Sequence, residues 1–167
     1  LETNRAQGGL MLNPRVLNLY PTMLWSAVGR AYLATCDAAE QRAILRNLRA
    51  SAESDDRKVL DKSWVDMIVQ QTRVQGYGVR DPDYASPDQL FPGQLDAIAV
   101  PIRVKERTVA CLSLVWLTRI MTQEQVLKTN LSKLKATADK IGEAFAMNGI
   151  DKPLWRDPRY IQTEATT

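Results

Sequence analysis

The alternation of hydrophobic and polar positions is clearest between Leu95 and Phe145, where two apolar segments joined at a tight polar turn lead into an amphipathic helix. The segments are Ile98-Ala99-Val100-Pro101-Ile102-Arg103-Val104 and Arg107-Thr108-Val109-Ala110-Cys111-Leu112-Ser113-Leu114-Val115-Trp116. Both are rich in β-branched and other apolar residues and they flank Lys105-Glu106, which predicts a β-hairpin. Val100, Ile102 and Val104 share one face at period two. The second segment is apolar almost without interruption, which predicts cover on both faces by helices or a ligand cavity. Ser113 is then a hydroxyl inside an apolar strand.

Thr122 followed three residues later by Gln125 forms a capping box, and Leu127, Leu131, Leu134, Ala138, Ile141 and Phe145 recur behind it at alternating spacings of four and three. That stripe predicts a helix packed on the sheet or on another subunit. Earlier in the chain, Ser26 can cap a helix over Ala27 to Thr35. Asp37 with Glu40 caps the next, whose buried side is Ile44, Leu45 and Leu48. A third helix runs from about Asp61 to Gln75 with Trp64, Val65, Ile68 and Thr72 on one side, and Gly76 stops it. Tyr77-Gly78-Val79 reads as a short strand, Leu10 to Tyr20 as an irregular strand broken at Pro14, and Asp81 to Gly93 as a long proline-bearing loop, mobile or a lid.

Composition narrows the chemistry. A chain of 167 residues has the length of one domain with one core, and no apolar run approaches the roughly 18 residues of a membrane span. The N-terminus lacks the order of a signal peptide, so a cytoplasmic protein with no membrane partner is expected. Cys36 and Cys111 show no metal or redox spacing and read as reduced packing residues, with a disulfide left open. There is no histidine, which removes Ser-His-Asp and Cys-His catalysis and the common histidine metal sites. The acids sit at helix starts and in loops, where capping and solvation account for them. The expectation is therefore no enzyme, no metal and no cofactor. A net charge of +3 only mildly favours anionic ligands. Lys128, Lys133, Lys135 and Lys140, with Asp139 and Glu143 beside them, read as a solvated face.

The order and spacing of Ser26-Ala27-Val28-Gly29-Arg30-Ala31, Gly76-Tyr77-Gly78, Leu95 to Pro101, Val109 to Leu114 and Met121-Thr122 resemble the effector-binding domain of IclR-type bacterial transcription regulators. The likeness covers about Leu1 to Phe145. Within that family it is nearest to the MhpR-like activators of phenylpropionate catabolism, through Ile98-Ala99-Val100-Pro101, Cys111 to Val115 and Met121 to Gln125. The resemblance implies an α+β, GAF-like domain in which an antiparallel sheet flanked by helices holds a small organic effector. It implies DNA binding through a winged helix-turn-helix domain absent from this chain, and association as a homodimer or homotetramer. An effector domain over residues 1–147, incomplete at its abrupt N-terminus, and a tail over 148–167 with Trp155 and Tyr160 as docking points are expected.

The family pocket lies against the helix that opens at Ser26, where free amides and the helix dipole favour a carboxylate. The amides of Ala27 and Val28 match effector-contacting positions, although Ser26 caps its helix whether or not a ligand binds. Ser113 matches a ligand-contacting hydroxyl; the alternative is a backbone bond within the sheet. Val115 and Ala97 stand where some members have serine and cysteine, which makes the site more apolar and favours an aromatic effector. Arg80 could clamp a carboxylate, or simply be exposed at a strand end. Tyr20, Trp25 and Tyr77 could wall an aromatic ring, with Met23 and Leu24 as adaptable contacts; Trp25 and Tyr77 serve equally well as core.

Overall fold

Local sequence signals set the helix ends in the computed structural model, which describes residues 23–50, 58, 60–84 and 95–152. Helix α1 (Ala27–Thr35) is capped by Ser26, and α2 (Ala38–Ala50) begins where the Glu40 amide donates to Asp37 Oδ1 at 2.8 Å. Helix α3 (Lys62–Gln75) starts at Asp61, which accepts from the Trp64 amide, and ends at Gly76 in the left-handed conformation. Strands β1 (Gly78–Val79), β2 (Leu95–Val104) and β3 (Arg107–Leu117) follow, and α4 (Gln123–Met147) carries the capping box complete, with Thr122 and Gln125 bonded reciprocally. The segment Leu10 to Tyr20, residues 51–57 and 59, the loop beyond Tyr84 up to Gly93 and the tail beyond Lys152 lie outside the described residues.

The described strands form one antiparallel sheet in the order β1-β2-β3. Its two faces are used differently. Val100, Ile102 and Val104 pack with Val109 under Leu131, Leu134, Ala138, Ile141 and Phe145 of α4, so the predicted stripe from Leu131 onward packs on the sheet, with Ala138 buried and the others half-buried. Val126, outside that stripe, is fully buried as well. On the opposite face Ala97 and Ala99 meet Ala27 and Ala31 of α1. Leu24, Leu33, Ala34, Val65 and Val69 join α1 and α3 in a separate cluster, against which Ile44, Leu45 and Leu48 of α2 lie.

The hairpin closes through Lys105-Glu106 as the polarity pattern requires, with Lys105 at φ 56. β2 starts at Leu95, ahead of the apolar run, because the ladder continues to Leu95↔Leu117. Register passes from Ile102↔Ala110 to Arg103↔Thr108, leaving Val109 as a bulge residue. The bulge lets Val109 and Ala110 both join the α4 side while Thr108 turns to α1 and donates to the Thr35 carbonyl at 3.1 Å.

Cover on both faces belongs to β2 rather than to β3. Ala97, Ile98, Ala99 and Val100 are all buried, whereas Ser113 and Val115 of β3 are exposed. Among the described residues β3 is an edge strand. A nine-residue helix is only about 14 Å long, against about 37 Å for an eleven-residue strand, so α1 cannot shield β3 over its whole length.

Candidate functional site

The start of α1 is built for close contact with the sheet. Ser26 Oγ accepts from the Gly29 amide at 3.0 Å, and no acidic residue occupies the first turn. Among the described residues the amides of Ala27 and Val28 make no backbone hydrogen bond, which leaves two donors at the positive end of the helix. A Cβ on Gly78 would fall 2.2 Å from the Ala27 carbonyl oxygen, so only glycine lets α1 lie this near β1. Ala27, Ala31, Ala97 and Ala99 fill the contact, with Val28 and Cys111 packed against them.

Register places the remaining residues. Ala97 is opposite Val115 and Ala99 is opposite Ser113, and directly opposed side chains of an antiparallel pair share a face. Ser26, Ala27, Val28, Ala97, Ser113 and Val115 therefore gather on the α1 side of the sheet, at the end where α1 begins. The Ser113 hydroxyl donates to the Ile98 carbonyl at 3.2 Å, and Val115 is 54% exposed. This is an open face with a tightly packed alanine floor.

Arg80, Tyr77 and Trp25 stand apart from it. The Arg80 amide extends the ladder by donating to the Ala97 carbonyl at 2.9 Å, but its guanidinium turns to the Tyr84 carbonyl at 2.9 Å and stacks over the Tyr84 ring at 4.4 Å. Burial lowers the Arg80 pKa, and the charges of Tyr84 and Asp96 oppose that shift. Arg80 and Tyr77 line a cleft of about 250 Å³ beside β1, with Arg30, Thr72, Gln75 and Gln123. Tyr77 also packs on the α4 core. Trp25 packs against Trp64 with ring centroids 5.5 Å apart and planes tilted by 49°, with the Lys58 ammonium over both rings, in the α1–α3 cluster that also contains Met23 and Leu24. Tyr20 lies outside the described residues.

Sequence reasoning missed the group that holds these parts together. Arg30 donates through Nε to the Leu24 carbonyl at 2.7 Å and through Nη1 to the Val79 carbonyl at 3.3 Å, and it pairs with Asp81. The Asp81 amide in turn donates to the Trp25 carbonyl at 2.8 Å. A part-buried clasp thus ties the entry to α1, the end of β1 and the segment carrying Arg80. The one signal in the sequence is an arginine on a helix otherwise made of small and apolar residues. Asp96, beside Ala97, was also missed; burial raises its pKa, opposed by the Ala97 amide it accepts from and by Arg80.

Both cysteines are free thiols, with pKa values pushed up to about 11 for Cys36 and about 12 for Cys111, chiefly by burial. Among the described residues no three Cys, Asp or Glu side chains converge as a metal site, and no helix is long and apolar enough to cross a membrane.

Solved structures with the same fold are bacterial regulators. The chain is similar to the C-terminal domain of the Escherichia coli transcriptional regulator KdgR, with 24% identity and a TM-score of 0.55 over 74% of this chain and 71% of that one. It is similar to the Agobacterium tumefaciens repressor BlcR, with 20% identity, a TM-score of 0.54 and coverage of 74% and 47%. It also matches the inducer-binding domain of the Acinetobacter transcription factor PobR, a double mutant in complex with 3-hydroxybenzoic acid, with 17% identity, a TM-score of 0.52 and coverage of 72% and 66%. The chain spans about half the length of the first regulators it matches. The fold is thus the GAF-like α+β arrangement of these domains, and the model for the bacterial transcriptional regulator IclR C-terminal family matches residues 15–143; with helix, sheet and sequence in agreement over most of its length, the chain belongs to that family.

Proposed function

We propose that this domain senses a small-molecule effector for a bacterial DNA-binding transcription regulator, and that the effector is an aromatic carboxylic acid. The observation that carries the reading is the meeting of the Ala27 and Val28 amides, which make no backbone hydrogen bond among the described residues, with the Ala97, Ser113 and Val115 face. Two amides and a helix dipole suit a carboxylate, and a hydroxyl set in an apolar surface suits a hydroxylated ring. The apolar character of Ala97 and Val115 favours a ring over a two- or three-carbon oxoacid. PobR, of similar fold, was solved with 3-hydroxybenzoic acid, which supports an aromatic acid on this scaffold. In this reading Arg80 leaves Tyr84 and engages the ligand carboxylate. The whole regulator is a cytoplasmic homodimer or homotetramer, and effector binding biases the arrangement of winged helix-turn-helix domains on DNA.

Titration with phenylpropionates, hydroxybenzoates, protocatechuate, glyoxylate and pyruvate, by thermal shift and then calorimetry, tests it. Saturable binding of an aromatic acid, without turnover and lost in Ser113→Ala or Arg80→Ala, is expected. A well-folded oligomer silent to the whole panel would refute the aromatic-acid assignment. A second reading, an oligomerisation module with a vestigial pocket, is favoured by the alanines that close the space between α1 and the sheet. It predicts stable oligomers and no ligand response.

A further inference from the structure

A second cleft of the described residues lies at the other end of α1. It has a volume of about 580 Å³, within the range of small-ligand sites, and it is walled by the C-terminal turns of α1 and α3, the middle of β2 and one face of α4. Val100 and Ala138 give it an apolar floor. Three cations reach it from three elements: Arg73 of α3, Arg103 of β2 and Lys135 of α4, with Asp139 as the single carboxylate.

These cations are placed by the fold, and among the described residues none of them is in an ion pair. Arg73 is fixed because its Nε donates to the Ala34 carbonyl at 2.8 Å. Gly76 leaves room for the Lys135 ammonium, which would lie 3.2 Å from a Cβ at that position. Gly142 seats α4 on the Arg103 backbone, so the wall carrying Lys135 and Asp139 and the wall carrying Arg103 are held in fixed relation. The ion pairs among the described residues use Arg30, Lys58 and Lys62; none uses Arg73, Arg103 or Lys135. The negative ends of α1 and α3 account for part of this charge.

We propose that this cleft binds a small dianion, a dicarboxylate or a phosphate group, between Arg73, Arg103 and Lys135. The lining carries a net charge of two, and guanidinium and ammonium donors on facing walls suit anionic oxygens at two points or one compact tetrahedral anion. The site is separate from the Ser113 face and does not depend on the sensor reading.

Calorimetry of the whole chain at low ionic strength with inorganic phosphate, succinate and phthalate, and with acetate as a monoanion control, tests the inference. Saturable binding of at least one dianion is expected, with acetate at least about tenfold weaker. Binding of phosphate alone assigns the phosphate source, and binding of the dicarboxylates alone assigns the other. Arg103→Gln and Lys135→Gln should each weaken the bound dianion about tenfold, the loss of one charge-assisted contact. Asp139→Asn should tighten it several-fold, a gain that a misfolded variant could not mimic, and Ser113→Ala should leave it unchanged. No saturable binding by any dianion would overturn the proposal, as would affinity unaltered in Arg103→Gln and Lys135→Gln, or acetate bound as well as the dianions.

Discussion

Replacing Gly142 by alanine tests how closely α4 must lie on the sheet. Helix propensity alone predicts a gain of about 1 kcal/mol, since glycine inside a helix is that much worse than alanine. Geometry predicts the reverse. A Cβ at this position would sit 2.2 Å from the Arg103 carbonyl oxygen. A close carbon–oxygen contact settles at about 3.3 Å, so α4 and β2 would have to part by about 1 Å. The separation opens the layer in which Ala138, Ile141 and Phe145 cover Val100, Ile102 and Val104. The clash is with backbone rather than a movable side chain, which puts the overpacking cost at about 2–3 kcal/mol, the upper end of the usual range; less the propensity gain, the net loss should be about 1–2 kcal/mol, or a fall in Tm of roughly 2–8 °C for a domain of this size. Urea unfolding followed by circular dichroism measures it. Gly149→Ala is the control: Gly149 has φ 71 and nothing within 4 Å of an added Cβ, so its cost is backbone strain alone. A Gly142→Ala protein as stable as the parent, or more so, would refute the close-approach argument.

Asp81→Ala removes the ion-pair partner of the part-buried Arg30 guanidinium, which keeps its bonds to the Leu24 and Val79 carbonyls, and should destabilise by about 1–3 kcal/mol; no measurable loss in chemical denaturation would show that water replaces the carboxylate freely. Asp96 has its pKa raised by burial in the folded state, so its protonated form is favoured by folding. Its contribution is fully present below the ordinary carboxylate value of 3.8 and is lost as pH rises through the raised value, so Asp96→Asn should gain stability relative to the parent as pH climbs from 3 to 7. A stability difference that stays flat across that pH range contradicts the assignment. With pKa values of about 11 and about 12, Cys36 and Cys111 should resist iodoacetamide at pH 8 in the native protein and react readily once unfolded; rapid native labelling of both thiols would count against their burial.

What was legible in the sequence was local. Helix starts at Ser26, Asp37, Asp61 and Thr122 use side-chain bonds to amides three residues ahead, so a few adjacent residues contain the whole interaction. The stop at Gly76 and the Lys105-Glu106 turn are equally short-range. The resemblance to IclR effector domains added the fold, because several weak motifs in the right order specify what no single one does.

What the tertiary structure decided depended on distance along the chain. Arg30 and Asp81 are 51 residues apart, and no period or cap signals their pairing. The one-residue bulge at Val109 leaves the hydrophobic pattern of β3 unchanged while altering which face its first residues occupy. Apolar composition predicted two covered faces for β3, but β2 lies between its neighbours and takes that cover, while β3, at the sheet edge among the described residues, leaves Ser113 and Val115 open. Gly78 and Gly142 look in sequence like weak points in a strand and a helix, and only the packed structure shows them as the places where backbone meets backbone. The sequence by itself determined which segments become helix or strand, because those choices are settled within a few residues. Which faces meet, which charges are paired and which clefts stay open were settled by excluded volume between elements far apart in the chain.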